Sequence, residues 1–221
     1  MWCEELILAG GGTRLRSSRG AKLSLKRTAV GVEINPRYLR GPWDGGFALD
    51  KHTRSSTYLG VDQRGRDRYE TIGSAIGELL YQLKYRNDQS RAEPLAEAAA
   101  EFLARPWTLD AIVPVPPSNT RKSQPVMTVA DGIARRLGVP LCAGCLTKVK
   151  QTPQLKDITD YDKRMEVLSG AFSADPNLTR GRRLLLFDDL YGSGATVGHI
   201  AEVLKRDGLA DSVFLLTLTT K

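Results

Sequence analysis

The stretch LLLFDDLYGSGAT, Leu184 to Thr196, decides how this chain is read. Four consecutive apolar residues, Leu184 to Phe187, predict a strand buried on both faces, as in a parallel sheet. Asp188 and Asp189 stand at its end, a turn of small residues follows, and Val197, Ile200, Val203 and Leu204 then fall at helical spacing. A strand, loop and helix in this order make a ligand site. Gly192, Ser193 and Gly194 let the backbone approach a ligand, Ser193 and Thr196 bring hydroxyls, and the loop N–H groups open the helix. Such a loop suits a phosphate monoester. The two acids lie just outside the carboxyl end of their strand, where open α/β sheets bind ligands. There they can accept hydrogen bonds from a sugar diol or hold waters of a Mg²⁺ shell. No Lys follows Gly194, which excludes a Walker A loop.

This pattern of hydrophobic run, paired acids, two variable residues and a small-residue loop ending in Thr resembles the phosphoribosyl pyrophosphate (PRPP) motif of the type I phosphoribosyltransferases. The resemblance implies that Asp188 and Asp189 contact the ribose hydroxyls, while Tyr191, Gly192, Ser193, Gly194, Ala195 and Thr196 wrap the 5′-phosphate. It implies Mg²⁺ as cofactor, carried by the ligand and by water near Asp188 and Asp189, with no direct protein ligand. It also implies an α/β fold: a mostly parallel sheet flanked by helices, with an irregular N-terminal hood.

Composition fits one soluble core. The chain has 221 residues, 41% apolar and 26% charged, enough for one domain with an elaborated N-terminus. A net charge of +7 suits a polyanion, whether a pyrophosphate sugar or nucleic acid. Three cysteines and no basic leader before the first apolar run lead to the expectation of a reducing cytoplasm, and no apolar run is long enough to span a bilayer.

Upstream segments extend the likeness to the ComF family of phosphoribosyltransferase-like proteins. Ile72, Ile76, Leu79, Leu80 and Leu83 predict an amphipathic helix from Thr71 to about Tyr85, ending in LKYRND, which is similar to an LKYRGD-like segment of that family. The resemblance places Lys84 and Arg86 on a hood, where they could reach a phosphate or a nucleobase; as plain sequence they are helix C-terminal cations that favour the dipole. Pro94 and Pro125 open two further helices, the latter closed by Gly138. AIVPVPPS, Ala111 to Ser118, is a short strand and turn similar to the family's pyrophosphate loop. Because Pro114, Pro116 and Pro117 lack an N–H, the donors fall to Val115, Ser118 and Asn119, with Arg121 adding charge. The segment Lys148 to Phe172 carries TPQ, a Leu and GAF in the family's order. Its polar part, residues 151 to 162, matches a mobile flap, and Arg164 takes the position of the family's Arg, set to neutralise departing pyrophosphate.

Other features are read as structural. FALD and STYLGVD, then a turn at Gln63 to Arg66 and a return through Tyr69, predict a hairpin. Cys142 and Cys145 form a lone CxxC, read as buried thiols in a strand, and neither His52 nor His199 has partners at metal-ligand spacing. Arg182 and Arg183 are expected to stay solvated, and SVFLLTLT, Ser212 to Thr219, to form a last buried strand. The opening ILAGGGTRL resembles the LAGGxGTRL signature of sugar-phosphate nucleotidyltransferases, but its glycine run is one residue short. Residues 14 to 27 carry six basic side chains, a possible nucleic-acid contact or a solvated arm.

The expected organisation is residues 1–70 as an N-terminal extension, then a phosphoribosyltransferase-like domain over 71–221, with a helical hood at 71–105 and a core at 106–221. The expected activity is transfer of phosphoribosyl from Mg-PRPP, or handling of a related ribose 5-phosphate compound, with a nitrogen nucleophile as acceptor. The 6-oxopurine enzymes carry an acid three residues after the second acid of the pair; Gly192 stands there, which disfavours a hypoxanthine acceptor. The alternatives are a PRPP- or nucleotide-sensing regulator, and a nucleic-acid-associated protein in DNA uptake or defence. A homo-oligomer is compatible with each.

Overall fold

The computed structural model describes residues 27–29, 31–104, 107–117, 124–152, 158 and 160–221. The basic run from Arg14 to Lys26 and the loop residues Ser118, Asn119 and Arg121 lie outside the described residues, as do flap residues 153–157 and 159. Among the described residues no helix is long and apolar enough to cross a membrane.

The central sheet has five strands: β3 (Arg37–Tyr38), β4 (Gly45–Lys51), β7 (Ala111–Pro114), β10 (Arg183–Tyr191) and β11 (Ser212–Thr220), in the order β3-β4-β11-β10-β7. Strands β4, β11, β10 and β7 run parallel, with β3 antiparallel at the edge. The fold is therefore α/β with a mostly parallel sheet. Leu184 to Phe187 are fully buried at its centre, as a continuous apolar run requires.

Alternation along β10 sends Leu185 and Phe187 to one face and Leu184 and Leu186 to the other. The first face is covered by α1 (Ala75–Tyr85), α2 (Ala92–Leu103) and α3 (Pro125–Leu137) through Leu80, Leu83, Leu95, Val129 and Ile133. The second is covered by α6 (Ala195–Arg206) through Val197, Ile200, Val203 and Leu204, and by α4 (Tyr161–Leu168) through Leu168. Helix α1 begins under Ser74, whose Oγ accepts the Gly77 N–H at 2.9 Å. A Cβ on Gly77 would collide with the His52 carbonyl, so glycine lets α1 dock directly on the end of β4.

Smaller pairs complete the chain: β1 (Arg27–Ala29) with β2 (Val32–Ile34), β5 (Thr53–Val61) with β6 (Asp67–Gly73), and β8 (Leu146–Lys148) with β9 (Phe172–Ala174), followed by α5 (Pro176–Thr179). The hairpin expected in this region is β5–β6, but Thr71 and Ile72 belong to β6, so α1 starts later than its apolar spacing suggests.

Four further expectations are corrected. First, FALD does not join the hairpin region: it lies in β4, paired in parallel with β11, so the central sheet draws on residues before 70. Its Ala48 and Leu49 are fully buried, and a strand buried on both faces belongs in a sheet interior. Second, Cys142 and Cys145 are not thiols in a strand; they form a disulfide across a 3-10 turn at Ala143–Cys145, which brings their Cα atoms to 5.3 Å. Third, Arg183 is not free in solvent. The parallel register of β7 and β10 sets it beside Asp110, which accepts its Nε at 3.1 Å, its terminal guanidinium nitrogen at 2.8 Å and its backbone N–H at 2.8 Å. Fourth, the Val115 N–H is not held out for a ligand. It donates to the Phe187 carbonyl at 2.9 Å, extending the β7–β10 ladder, and its side chain enters the core.

Candidate active site

Strand alternation continues past Phe187, so Asp188 takes the α6 face of the sheet and Asp189 the α1 face. The paired acids thus open onto different surroundings.

On the α6 face a cleft of about 210 Å³ is lined by Asp188, Leu190 to Val197, Arg164 and Lys221. The loop after β10 closes with Gly194 at φ 81°, a left-handed turn that glycine adopts without strain. A Cβ there would also strike the Tyr191 hydroxyl. Tyr191 is held edge-on against Trp43, ring centroids 6.2 Å apart, and the Trp43 indole donates to the Leu39 carbonyl at 2.8 Å. Gly194 is the N-cap of α6 and supplies no side-chain acceptor. Ser193 Oγ takes the Ala195 N–H at 3.5 Å, while the Thr196 and Val197 N–H groups have no acceptor among the described residues. Unfilled donors at a helix N-terminus attract an anion.

Arg164 is brought to this cleft by α4. Asp160 caps that helix by accepting the Asp162 and Lys163 N–H groups at 2.9 and 3.3 Å, and Arg164 Nε donates to the Ile158 carbonyl at 2.5 Å. The flap residues 161 and 162 are the first turn of this helix. Lys221, not singled out in the sequence, joins the wall because its N–H donates to the Tyr191 carbonyl at 3.2 Å.

Among the described residues Asp188 has no cation at ion-pair distance. Burial pushes its carboxyl up, the adjacent Asp189 charge pushes it further, and it rises from an ordinary 3.8 to about 8. The Asp189 N–H, 2.9 Å from Asp188 Oδ1, and the Lys84 ammonium pull the other way without prevailing.

On the α1 face Lys84 reaches in from the hood helix and pairs with Asp189 Oδ2 at 2.7 Å, both side chains largely buried. Beside them His52 Nδ1 lies 3.4 Å from Thr219 Oγ1, which donates to the Asp189 carbonyl at 3.3 Å. Burial lowers the His52 pKa, and the nearby Lys84 ammonium lowers it further, so the imidazole is neutral at neutral pH. His52 and Thr219 escaped the sequence reading because only the β4–β11 pairing brings them to the acids. Arg86, the other hood cation, is exposed, and its backbone N–H caps α1 on the Gln82 carbonyl.

Whether these residues suit a Mg²⁺-bearing ligand can be judged from Asp188. A half-buried carboxyl whose only hydrogen-bond donor among the described residues is one backbone N–H recovers its solvation from a ligand bringing a cation or hydroxyl groups. The residues fit such a ligand.

No family model matches the chain, and no curated protein matches it. Among solved structures it resembles adenine phosphoribosyltransferase from Trypanosoma brucei in complex with AMP, pyrophosphate and ribose-5-phosphate, at 10% identity over 85% of this chain and 86% of that one, TM-score 0.42. It also resembles adenine phosphoribosyltransferase from Thermoanaerobacter pseudethanolicus, at 16% identity over 75% of this chain and 95% of that one, TM-score 0.39. A third likeness is to UMP synthase from Leishmania donovani, at 16% identity over 72% of this chain, TM-score 0.36; the chain spans 26% of that protein's length.

Proposed function

We propose that this chain binds Mg-PRPP, or a related ribose 5-phosphate compound, and transfers its phosphoribosyl group to a nitrogen nucleophile with loss of pyrophosphate. The observation that carries the reading is one cleft lined together by a half-buried carboxyl, Asp188, a glycine loop with unfilled helix N–H groups, and Arg164. The 5′-phosphate takes the Gly192–Thr196 loop, receiving the Thr196 and Val197 N–H groups and the Ser193 and Thr196 hydroxyls. The ribose diol donates to the carboxylates at the strand end. Mg²⁺, carried on the ligand and on water beside Asp188 and Asp189, would neutralise phosphate charge. As the bond from the anomeric carbon to pyrophosphate breaks, negative charge grows on the leaving group, and the proposed role of Arg164, a cation lining the cleft, is to meet it.

The Lys84–Asp189 pair favours a second reading, in which the pocket senses a ribose phosphate without turnover, because the ammonium occupies the carboxylate a diol would use. Release of pyrophosphate with candidate nitrogen acceptors separates the two.

Thermal unfolding with Mg-PRPP tests both. A ligand bound only by the native state at a hundredfold excess over Kd adds about 2.7 kcal/mol, seen as a rise in Tm. Absence of a shift with PRPP, ribose 5-phosphate and nucleoside monophosphates alike would overturn the reading.

A further inference from the structure

The hairpin β5–β6 springs from the carboxyl end of β4 and pairs with no third strand among the described residues. Every residue of β6 is exposed, with Tyr69 and Ile72 at 56% and 58%, and on β5 Tyr58, Leu59 and Val61 exceed half exposure. A solitary two-stranded ribbon is marginal in water, and its edges carry unpaired N–H and C=O groups. This ribbon is nevertheless well shaped. Tyr58 and Tyr69 pack across it with ring centroids 5.3 Å apart, Tyr58 Oη donates to Asp67 at 3.2 Å, and Asp62 closes the tip by accepting the Arg64 and Arg66 N–H groups.

Charge identifies what the edge can accept. The chain carries +7, so two copies repel over most of their surface, and a basic ribbon would suit a polyanion. Between 62 and 70 the ribbon instead balances Asp62, Asp67 and Glu70 against Arg64, Arg66 and Arg68. The outer strand reads Asp67-Arg68-Tyr69-Glu70-Thr71-Ile72-Gly73. Laid antiparallel against itself on a two-fold axis through Tyr69, it places Arg68 opposite Glu70 of the second copy, and Glu70 opposite its Arg68. Neither residue has an ion-pair partner among the described residues. An axis through a residue also maps outward-facing N–H and C=O groups onto each other, so the ladder can close. The other edge offers no such match, since Arg54 is the only charged side chain of β5 and is engaged by Glu33 and Asp50.

We propose that β6 pairs with β6 of a second copy of this chain, joining two hairpins into a continuous four-stranded sheet closed by reciprocal Arg68–Glu70 ion pairs. Sedimentation of the full chain over a concentration series tests it, with a dimer of twice 24.3 kDa expected. Arg68→Glu and Glu70→Arg each set like charges opposite one another at both ends of the junction, and each weakens the dimer roughly tenfold or more. The combined reversal restores opposition and returns the dimer constant to near the parent value, with circular dichroism checking that every variant is folded. Three results overturn the proposal: a parent chain monomeric throughout, single reversals that leave the dimer constant unchanged, or a monomer in which Glu70→Arg only strengthens salt-sensitive DNA binding. Arg68 and Glu70 lie outside the cleft, so failure here is independent of the ribose-phosphate reading.

Discussion

The two faces of the sheet at the end of β10 receive neighbouring residues of the same type and treat them in opposite ways. Asp188 opens on the α6 face, where among the described residues only a backbone N–H meets its carboxyl and burial drives it toward the protonated form. Asp189 opens on the α1 face, where Lys84 meets it at 2.7 Å. One acid is held short of a cation and the other is supplied with one. The difference follows from strand alternation combined with which helix covers which face: the α6 face keeps a carboxyl open to the cleft, and the α1 face pairs its carboxylate with Lys84.

The largest expected effect tests the acids together. Asp188→Asn with Asp189→Asn keeps shape and removes the carboxylates a Mg-bearing ligand would ionise and use; each charged hydrogen bond to a ligand is worth about 1.5–3 kcal/mol, so Mg-PRPP affinity falls on the order of a hundredfold or more, measured by calorimetry. Binding within a few-fold of the parent would show that neither face serves the sugar. Next in size, Arg164→Ala lowers kcat by roughly tens of fold while changing PRPP affinity far less, because its partner charge develops in the transition state. Equal losses in kcat and binding would make Arg164 a ground-state contact.

The single substitutions then separate the faces. Asp189→Asn strands the Lys84 ammonium and costs about 1–3 kcal/mol of ligand-free stability, whereas Asp188→Asn leaves stability unchanged or raises it. Denaturant titration reads both, and equal signs would dissolve the comparison. The last test is a pH slope. Asp188 is raised from 3.8 to about 8, so between those values the folded chain holds a proton the unfolded chain has lost. Stability from this group is therefore full at the acid end and declines as pH rises toward 8. Across the window Tm drifts down as pH rises because of this group, and Asp188→Asn removes that drift.

The stretch Leu184 to Thr196 was legible because strand, loop and helix are encoded by adjacent residues: an apolar run, glycines and a helical stripe. Helix α3 was legible for the same reason, opened by Pro125 and ended by Gly138. What the sequence hid was contact across distance. Nothing local marks Phe47 to Asp50 as an interior strand, since that follows from pairing with β11. Nothing local says that the Val115 N–H is spent on Phe187, or that Arg183 meets Asp110. Lys84 was selected by resemblance as a hood residue, yet its partner depends on where the Gly77 contact seats α1. His52 and Thr219 carry no motif, and only the fold brings them to the acids.

The place of β11 in the sheet has a consequence for how the chain is made. It follows every other described element in the sequence, yet it lies between β10 and β4, and Val213 hydrogen-bonds to Asp44 across 169 positions. While the ribosome is still adding residues, β4 has no parallel neighbour, and Leu49, destined for complete burial, is left without its packing. Closing so distant a contact is slow, and until it closes the nascent sheet has two unfinished edges that could capture another chain. Until Ser212 to Thr220 has emerged, the open edges of β4 and β10 are where wrong pairing competes with folding.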